Sequence, residues 1–355
     1  MIETAYDRGI FLPQAELWLD PRDRKEFAFV SHAHSDHTGR HRRILCTPPT
    51  ARLMQVRMGS PAGTFATLPF HAPQELAGGT VTLLPAGHVL GSAQLHYASS
   101  AGTLLYTGDF KLRRGQSSES AAAMPADTLI METTYGLSRY HFPPVEETIA
   151  AIRKFCLEAL EDQHTPVLLG YALGKAQEIL SVLRDAGAPI TLHPAIAQVA
   201  AVYEEFGVTF PPYDILGNEP PKGVLICPPG FKASRALAKL RRRRVAMLSG
   251  WAMDAGAARR MQVDAAFPLS DHADYADLLR HVDAVRPRRV LTLHGFAQEF
   301  ARDLRARGLE AWALTGANQL EFSLAVPAPG TRRPAAPARL ANEGFPAFCL
   351  VAESI

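Results

Sequence analysis

The chain has 355 residues, 47% of them apolar and 20% charged, with a formal net charge of +2. That balance fits a globular enzyme with a large core or two domains sharing one, and it excludes a disordered chain. It also leaves no whole-chain basic excess to argue for nucleic-acid binding, so any phosphate-binding surface must be local.

No apolar run nears the ~20 residues a bilayer span requires. The start, Met1-Ile2-Glu3-Thr4, lacks a basic-then-apolar leader. No membrane association and a cytoplasmic location are therefore the expectation. Cys46, Cys156, Cys227 and Cys349 are scattered, with neither a disulfide framework nor a Cys-x-x-Cys zinc pattern, and read as reduced, buried thiols.

Up to about residue 135 the chain reads mostly as strands and loops. Phe27–Val30 is a short strand, Thr80–Leu84 another, and Ala93–Tyr97 with Thr103–Thr107 form a hairpin around Ala101-Gly102. From about 145 the period changes. Val145–Leu160 has helical spacing after Pro143-Pro144. Strands at Pro166–Tyr171, Gly223–Cys227 and Val245–Gly250 then alternate with helices at Lys175–Asp185, Ala195–Phe206 and Ala233–Leu240. This alternation implies a parallel sheet with covering helices. Helix Tyr275–Val285, strand Arg289–His294, helix Gln298–Arg307 and strand Glu310–Leu314 follow. Beyond about 325 the chain is Pro/Ala-rich, an extended tail with an apolar end at Phe348–Ala352.

The strongest chemical signal is Ser31-His32-Ala33-His34-Ser35-Asp36-His37, directly after a strand. In an extended segment residues two apart point the same way, so His32 and His34 can grip one ion. After a turn, Asp36 and His37 can face a second. Imidazole and carboxylate are ligands that zinc accepts. One such cluster cannot saturate two metals, so His88, Asp109 and His294, each ending an apolar strand, are the candidates that complete it. A workable division gives His32, His34 and His88 to one ion and Asp36, His37 and His294 to the other, with Asp109 bridging. Two adjacent cations would activate a shared water for attack on phosphorus. Asp36 and Asp109 are accordingly candidate catalytic residues.

Candidate substrate contacts are weaker. Lys175 opens a helix after Gly174, where free N–H groups favour phosphate. Lys111 follows Asp109 closely. Ser249-Gly250-Trp251 ends a strand, and an aromatic ring there could stack on a base. Arg241–Arg244 is the densest basic run, more often a solvated face than a contact. His41, His71, His96, His141, His164, His193 and His281 match no motif and read as structural or surface residues.

His-x-His-x-Asp-His followed by Gly-His, Gly-Asp and a late histidine resembles the metallo-β-lactamase superfamily, and its β-CASP nuclease branch in particular. Three further stretches carry the likeness: Met131-Glu132-Thr133-Thr134-Tyr135-Gly136, Leu269-Ser270-Asp271-His272-Ala273-Asp274-Tyr275 and Leu293-His294-Gly295. The resemblance covers about residues 8–315. It implies an α/β fold, an αββα sandwich (1–144 and 253–325) into which an α/β β-CASP lid (145–252) is inserted, with 326–355 as the tail. It also implies that His272 protonates the leaving oxygen and that Glu132 orients it, with Ser270 beside the substrate. Asp20 in Leu17-Trp18-Leu19-Asp20-Pro21 is the candidate for the family's early aspartate, with Asp23 close behind.

Within the branch, Leu45-Cys46-Thr47-Pro48, Gly87–Gln94, Leu173–Gln177 and Phe267–Tyr275 look most like bacterial DNA exonucleases encoded beside an ATP-dependent DNA ligase and a helicase, relatives of Artemis-like crosslink-repair nucleases. That implies a zinc-dependent (or manganese- or magnesium-dependent) DNA exonuclease of repair, working from a 5′ end. His294 is shared with RNA-processing members, which keeps an RNA-processing nuclease open. A catalytically dead scaffold and a thioester- or lactam-type hydrolase are further alternatives. The full ligand set argues against the first, and the lid with Glu132 and His272 against the second.

Overall fold

The structure, a computed structural model, describes residues 1–59, 63–254 and 256–314. The expected tail, 326–355, with Cys349, lies outside the described residues. The first sheet takes β1 (Ala5–Tyr6), β2 (Ile10–Leu12), β3 (Leu17–Leu19), β4 (Phe27–Phe29), β5 (Arg43–Cys46) and β6 (Thr64–Thr67), in that order. Helix α1 (Pro48–Met58) connects its last two strands. The second sheet begins with β7 (Gln74–Leu76), β8 (Gly79–Pro85), β9 (Ala93–Ser99), β10 (Gly102–Tyr106) and β11 (Thr128–Glu132).

The chain then leaves for α2 (Val145–Glu161) and a third sheet. Its strands are β12 (Thr165–Leu169), β13 (Ile190–Leu192), β14 (Asp214–Ile215), β15 (Val224–Cys227), β16 (Arg243–Leu248) and β17 (Ala265–Phe267). Helices α3 (Lys175–Val182), α4 (Pro194–Glu205), α5 (Arg235–Lys239) and α6 (Ala257–Met261) fall between them. The strand order is β14-β13-β15-β12-β16-β17, and every pairing is parallel. After α7 (Tyr275–Val285), β18 (Arg289–Leu293), α8 (Ala297–Ala306) and β19 (Glu310–Ala313) return to the second sheet, giving β19-β18-β11-β10-β9-β8-β7.

Two-residue alternation sorts side chains into separate layers. Leu104, Tyr106, Ile130 and Leu291 face the first sheet and share one core with Leu12, Leu17, Leu19 and Phe29. Their neighbours Leu105, Leu129, Met131 and Val290 face the other way, onto Leu278 and Val282 of α7 and Phe300 and Leu304 of α8. Ile44 and Cys46 on the far side of the first sheet meet Leu53 and Met54 of α1. Two sheets thus lie face to face with helices outside, the mixed α/β sandwich expected. In the third sheet Leu168 and Ile226 pack towards α3 and α4, while Val167, Leu169, Leu225 and Cys227 fill the opposite face.

Helix α1 was not anticipated in the stretch read as strands and loops. Its start is nevertheless well specified. The Thr50 N–H donates to Thr47 Oγ1 at 3.3 Å, and Pro48 and Pro49 occupy first-turn positions where no N–H is needed. Paired prolines suggest a loop until that cap is recognised. Elsewhere the expected helix 233–240 shortens to Arg235–Lys239, because a 3-10 turn takes Pro229–Ala233.

His281 lies on the buried side of α7, fully enclosed, against the Phe110 ring at 4.6 Å. Neither ring nitrogen has a hydrogen-bond partner among the described residues. Burial pushes its pKa down to about 4. Between the unfolded value near 6.5 and 4, the unfolded chain takes up a proton that the folded chain refuses. Stability is therefore full above pH 6.5 and falls as the pH drops, by about 3 kcal/mol from this group at pH 4. Denaturant titrations of His281→Leu should show a flatter decline across that window than the parent protein. Parallel curves would show that His281 finds a proton acceptor on folding.

Candidate metal centre

The convergence of the site follows from strand direction. β10, β11 and β18 are mutually parallel, and β8 runs the same way because β9 is antiparallel to both β8 and β10. Asp109, Glu132, His294 and His88 end or follow these four strands, so they emerge at one edge of the second sheet. The loop 31–37 leaves the end of β4 in the first sheet. Close approach needs a bare backbone at Gly108, whose φ is +55° and where a Cβ would stand 2.6 Å from Ser31 Cβ. The C-terminal ends of β12, β16 and β17 bring Leu173, Ser249 and the 269–272 stretch to the same region.

His32 Nε2 lies 2.9 Å from His34 Nδ1, which is 3.1 Å from His88 Nε2. Each ring's other nitrogen is already committed. The Ser31 hydroxyl donates to Asp20 Oδ2 (2.5 Å), so its oxygen accepts from His32 Nδ1 (3.0 Å). His34 Nε2 donates to the Leu173 carbonyl at 3.1 Å, and His88 Nδ1 to the Asp271 carbonyl at 2.9 Å. These partners assign the tautomers, and all three inward nitrogens then carry lone pairs. Burial, reinforced by the neighbouring rings, holds His32 and His88 well below the usual histidine range; burial, with Arg57, lowers His34. Converging lone pairs that cannot bond to one another fit a cation.

A second group joins His32, His37 and Asp109, and a third joins His88, Asp109 and His272. Asp109 Oδ2 is 3.3 Å from His37 Nε2, 3.7 Å from His32 Nε2 and 3.9 Å from His88 Nε2, so it belongs to the second and third groups and borders the first. Burial resists charge on both partners, yet His37 is raised well above its usual value by Asp109 and Asp20, and Asp109 is held well below its own by His37. Asp20 Oδ2 also accepts from His37 Nδ1 and from the Tyr106 hydroxyl, both at 2.8 Å. Asp23 instead pairs with Arg8. Asp36 is exposed, 3.7 Å from His37 Nε2. His294 is exposed, its ring 5.6 Å from that of His37, and it belongs to none of the three tight groups. His32, His34, His37, His88 and Asp109 therefore form the nucleus, with Asp36 and His294 at its open side. An imidazole–carboxylate set of this kind could hold divalent ions.

Beside it, His272 Nδ1 lies 2.8 Å from Glu132 Oε1. Burial opposes charge on His272, but Glu132 outweighs it and the pKa is pushed up to about 9. Glu132 is itself held by the N–H groups of Phe110 and Thr134, both at 3.1 Å. Helix α7 starts just after His272, capped by Asp274, whose Oδ1 accepts from Asp277 N at 2.9 Å.

The candidate substrate residues fare differently. Lys175 is buried, its ammonium 2.9 Å from Asp271 Oδ1 and donating to the Leu269 carbonyl at 2.5 Å. An ammonium so committed is not presented to phosphate. Lys111 is buried 3.9 Å from Glu178, yet it lines a cavity with exposed Arg114, Ser270 and His272. The Ser270 hydroxyl accepts from His272 N at 3.0 Å. Ser249 caps a 3-10 turn through Trp251 N (3.3 Å), and the half-buried Trp251 ring packs tilted against Tyr135 (4.8 Å) and edge-on against Tyr140 (5.6 Å). Arg242, Arg243 and Arg244 bond to Gln163, Leu240 and Asp162 in their own unit. Of the site's supports, Ser31, Tyr106, Asp271 and the Leu173 carbonyl escaped sequence reasoning; only Ser31, adjacent to His32, offered a local clue.

Comparison with known proteins adds the following. Residues 256–314, spanning His272 and His294, match the family described as the Zn-dependent metallo-hydrolase RNA specificity domain. The chain is 50% identical over 333 residues to "Probable DNA ligase" of Opitutus terrae, covering 93% of this chain and 33% of that one. It is 33% identical over 176 residues to 5′ exonuclease Apollo of Gallus gallus, covering 47% and 38%. The chain thus spans only 33% and 38% of the length of these curated relatives. A crystal structure of a protein of unknown function from Enterococcus faecalis V583 superposes with TM-score 0.55 over 77% of this chain and 76% of that one. At 13% identity this similarity concerns the fold alone.

Asp20 touches Ser31 and His37 together, so it should govern metal affinity from behind the ligands. Asp20→Asn should weaken zinc binding by about 10- to 100-fold in competition against a chromophoric chelator. Affinity equal to that of the parent would remove Asp20 from this role.

Proposed function

The chain belongs to the β-CASP branch of the metallo-β-lactamase superfamily, and from that premise we propose that it is a two-metal phosphodiesterase, a DNA exonuclease that works 5′ to 3′ in DNA repair. The observation that carries this reading is the pairing of an inward-facing imidazole–carboxylate cluster with the His272–Glu132 couple at its rim. A lone metal cluster would suit many hydrolases. A proton donor beside it suits a phosphodiester, whose alkoxide leaves poorly without protonation.

Zinc ions, or manganese or magnesium, held by His32, His34 and His88 and by Asp36, His37 and His294, with Asp109 between them, would supply positive charge to the phosphate oxygens and acidify the attacking water. The chain's own residues do the rest. With Nδ1 on Glu132, His272 carries its transferable proton on Nε2 and delivers it to the leaving oxygen. Glu132, fixed by two backbone N–H groups, keeps that tautomer and orientation. Lys111, Arg114 and Ser270, around the cavity next to His272, receive the phosphate backbone. Ser249 and Trp251 do not line that cavity; the Trp251 ring packs against Tyr135, itself 6.1 Å from the His272 ring, and on this reading would meet a base only at the cleft's edge. The lid is the inserted unit, 145–252 extended to Phe267 because β17 pairs with β16.

Similarity to a named 5′ exonuclease and to a named DNA ligase favours DNA over RNA and a 5′ start. The motif resemblance to ligase-associated exonucleases supports the rest of the proposal, a repair setting in the cytoplasm with an ATP-dependent ligase and a helicase as partners. An RNA-processing nuclease is the second reading. It is favoured by the family description that names RNA specificity and by the presence of His294.

Two experiments test this. End-labelled single-stranded DNA and matched RNA, each with and without a 5′ phosphate, should give metal-dependent release of nucleotides from the 5′ end of DNA, abolished in Asp109→Ala; faster RNA cleavage would reverse the assignment. His272→Ala should slow cleavage of DNA by about 10²- to 10⁴-fold. The same variant should lose much less on a nitrophenyl phosphodiester, whose leaving group needs no proton. Equal losses on both substrates would exclude His272 as the acid.

A further inference from the structure

The start of α3 is joined to the candidate metal centre at two points, although it belongs to the third sheet's unit. The Leu173 carbonyl accepts from His34 Nε2 at 3.1 Å. Two residues on, the Lys175 ammonium holds Asp271 Oδ1 at 2.9 Å and the Leu269 carbonyl at 2.5 Å. The carbonyl of that same Asp271 accepts from His88 Nδ1 at 2.9 Å. Between the two points, Gly174 has φ +86°, and a Cβ there would stand 2.3 Å from Val89 Cγ1, beside His88. The loop is therefore seated directly on the metal-ligand segment, and only glycine allows it.

Lys175 is 3% exposed. A buried ammonium is costly to desolvate, and a hydrophobic residue of its size would often serve stability better. Its position gives it another use. It ties both sides of the 269–271 turn, through one carbonyl and one carboxylate, and so sets where the Asp271 carbonyl points. A histidine's metal-facing nitrogen is aimed by whatever holds its other nitrogen. Leu173 does this for His34 directly, and Lys175 does it for His88 through Asp271.

We propose that Lys175 is a positioning residue of the metal centre, aiming His88 through Asp271, so that seating of the lid and completion of the His32–His34–His88 group are one event. This rests on the metal-binding reading above. The lid then contributes to metal affinity and does more than cover the substrate.

The test uses the full chain and zinc or cobalt as the probe. Affinity is measured by chelator competition, and ligand geometry by the visible spectrum of bound cobalt. Lys175→Met should weaken one bound ion by about 10- to 100-fold and alter the cobalt spectrum. Leu192→Ala, in the third sheet's own core, should lower the melting temperature while keeping the parent's metal affinity and spectrum. A merely structural Lys175 would make the two variants alike, and that result overturns the inference, as does parent-like affinity in Lys175→Met. If Lys175→Met does not fold, Lys175→Met with Asp271→Asn, which leaves no charge unpaired, carries the same expectation. A parent protein that binds neither metal would sink the metal reading itself, and this inference with it.

Discussion

Lone pairs facing one another at 2.9 and 3.1 Å govern the architecture around them. Free in water, three neutral imidazoles would turn so that one N–H met one acceptor. Here Ser31, Leu173 and Asp271 take the outer N–H of each ring, and no such rotation is open. The resulting repulsion is relieved by positive charge, and the nearby Asp109 carboxylate adds to the demand for it. His37 meets the same demand differently. Set between Asp109 and Asp20, it is driven towards its charged form, a proton standing where a cation could stand.

That arrangement is assembled from strand ends because strand ends are where a rigid scaffold can aim a loop residue. Parallel strands deliver their last residues to one edge, and parallel sheets commonly carry sites there. β8, β10, β11 and β18 do this in the second sheet, and β12, β16 and β17 do it in the third. The cleft lies where the two edges meet. It is the fold's own topology, with an inserted parallel unit set against an outer sandwich, that brings sequence-distant residues such as His34 and Leu173 within 3.1 Å.

The sequence was informative where chemistry is local and less so where it is topological. The 31–37 cluster, the strand-ending His88 and Asp109, and the alternation beyond 145 could be read from residue order alone. The His272–Glu132 contact, 140 residues apart in sequence, came only through resemblance, since no spacing rule predicts it. Lys175 illustrates the limit. A lysine after glycine at a helix start has the chemistry of a phosphate site, and nothing local says that an aspartate 96 positions later will claim it. Helix α1 was missed for a different reason, since its opening prolines carry loop and helix-start meanings alike. Supports acting through backbone carbonyls, Leu173 and Asp271, leave no trace in residue identity at all.

The 269–272 turn then concentrates several duties in four residues. Leu269 receives Lys175, Asp271 carries the acceptor for His88, and His272 pairs with Glu132. On the proposed reading a metal ligand and the proton donor are thus set by one short piece of backbone. A shift that moved the donor off the leaving oxygen would also turn His88 away from its ion. Nucleophile activation and leaving-group protonation would fail together, and a half-assembled cleft would be inert towards phosphodiesters. On the same reading, anchoring that turn with a buried charge, at the desolvation cost this entails, would tie catalytic competence to a seated lid.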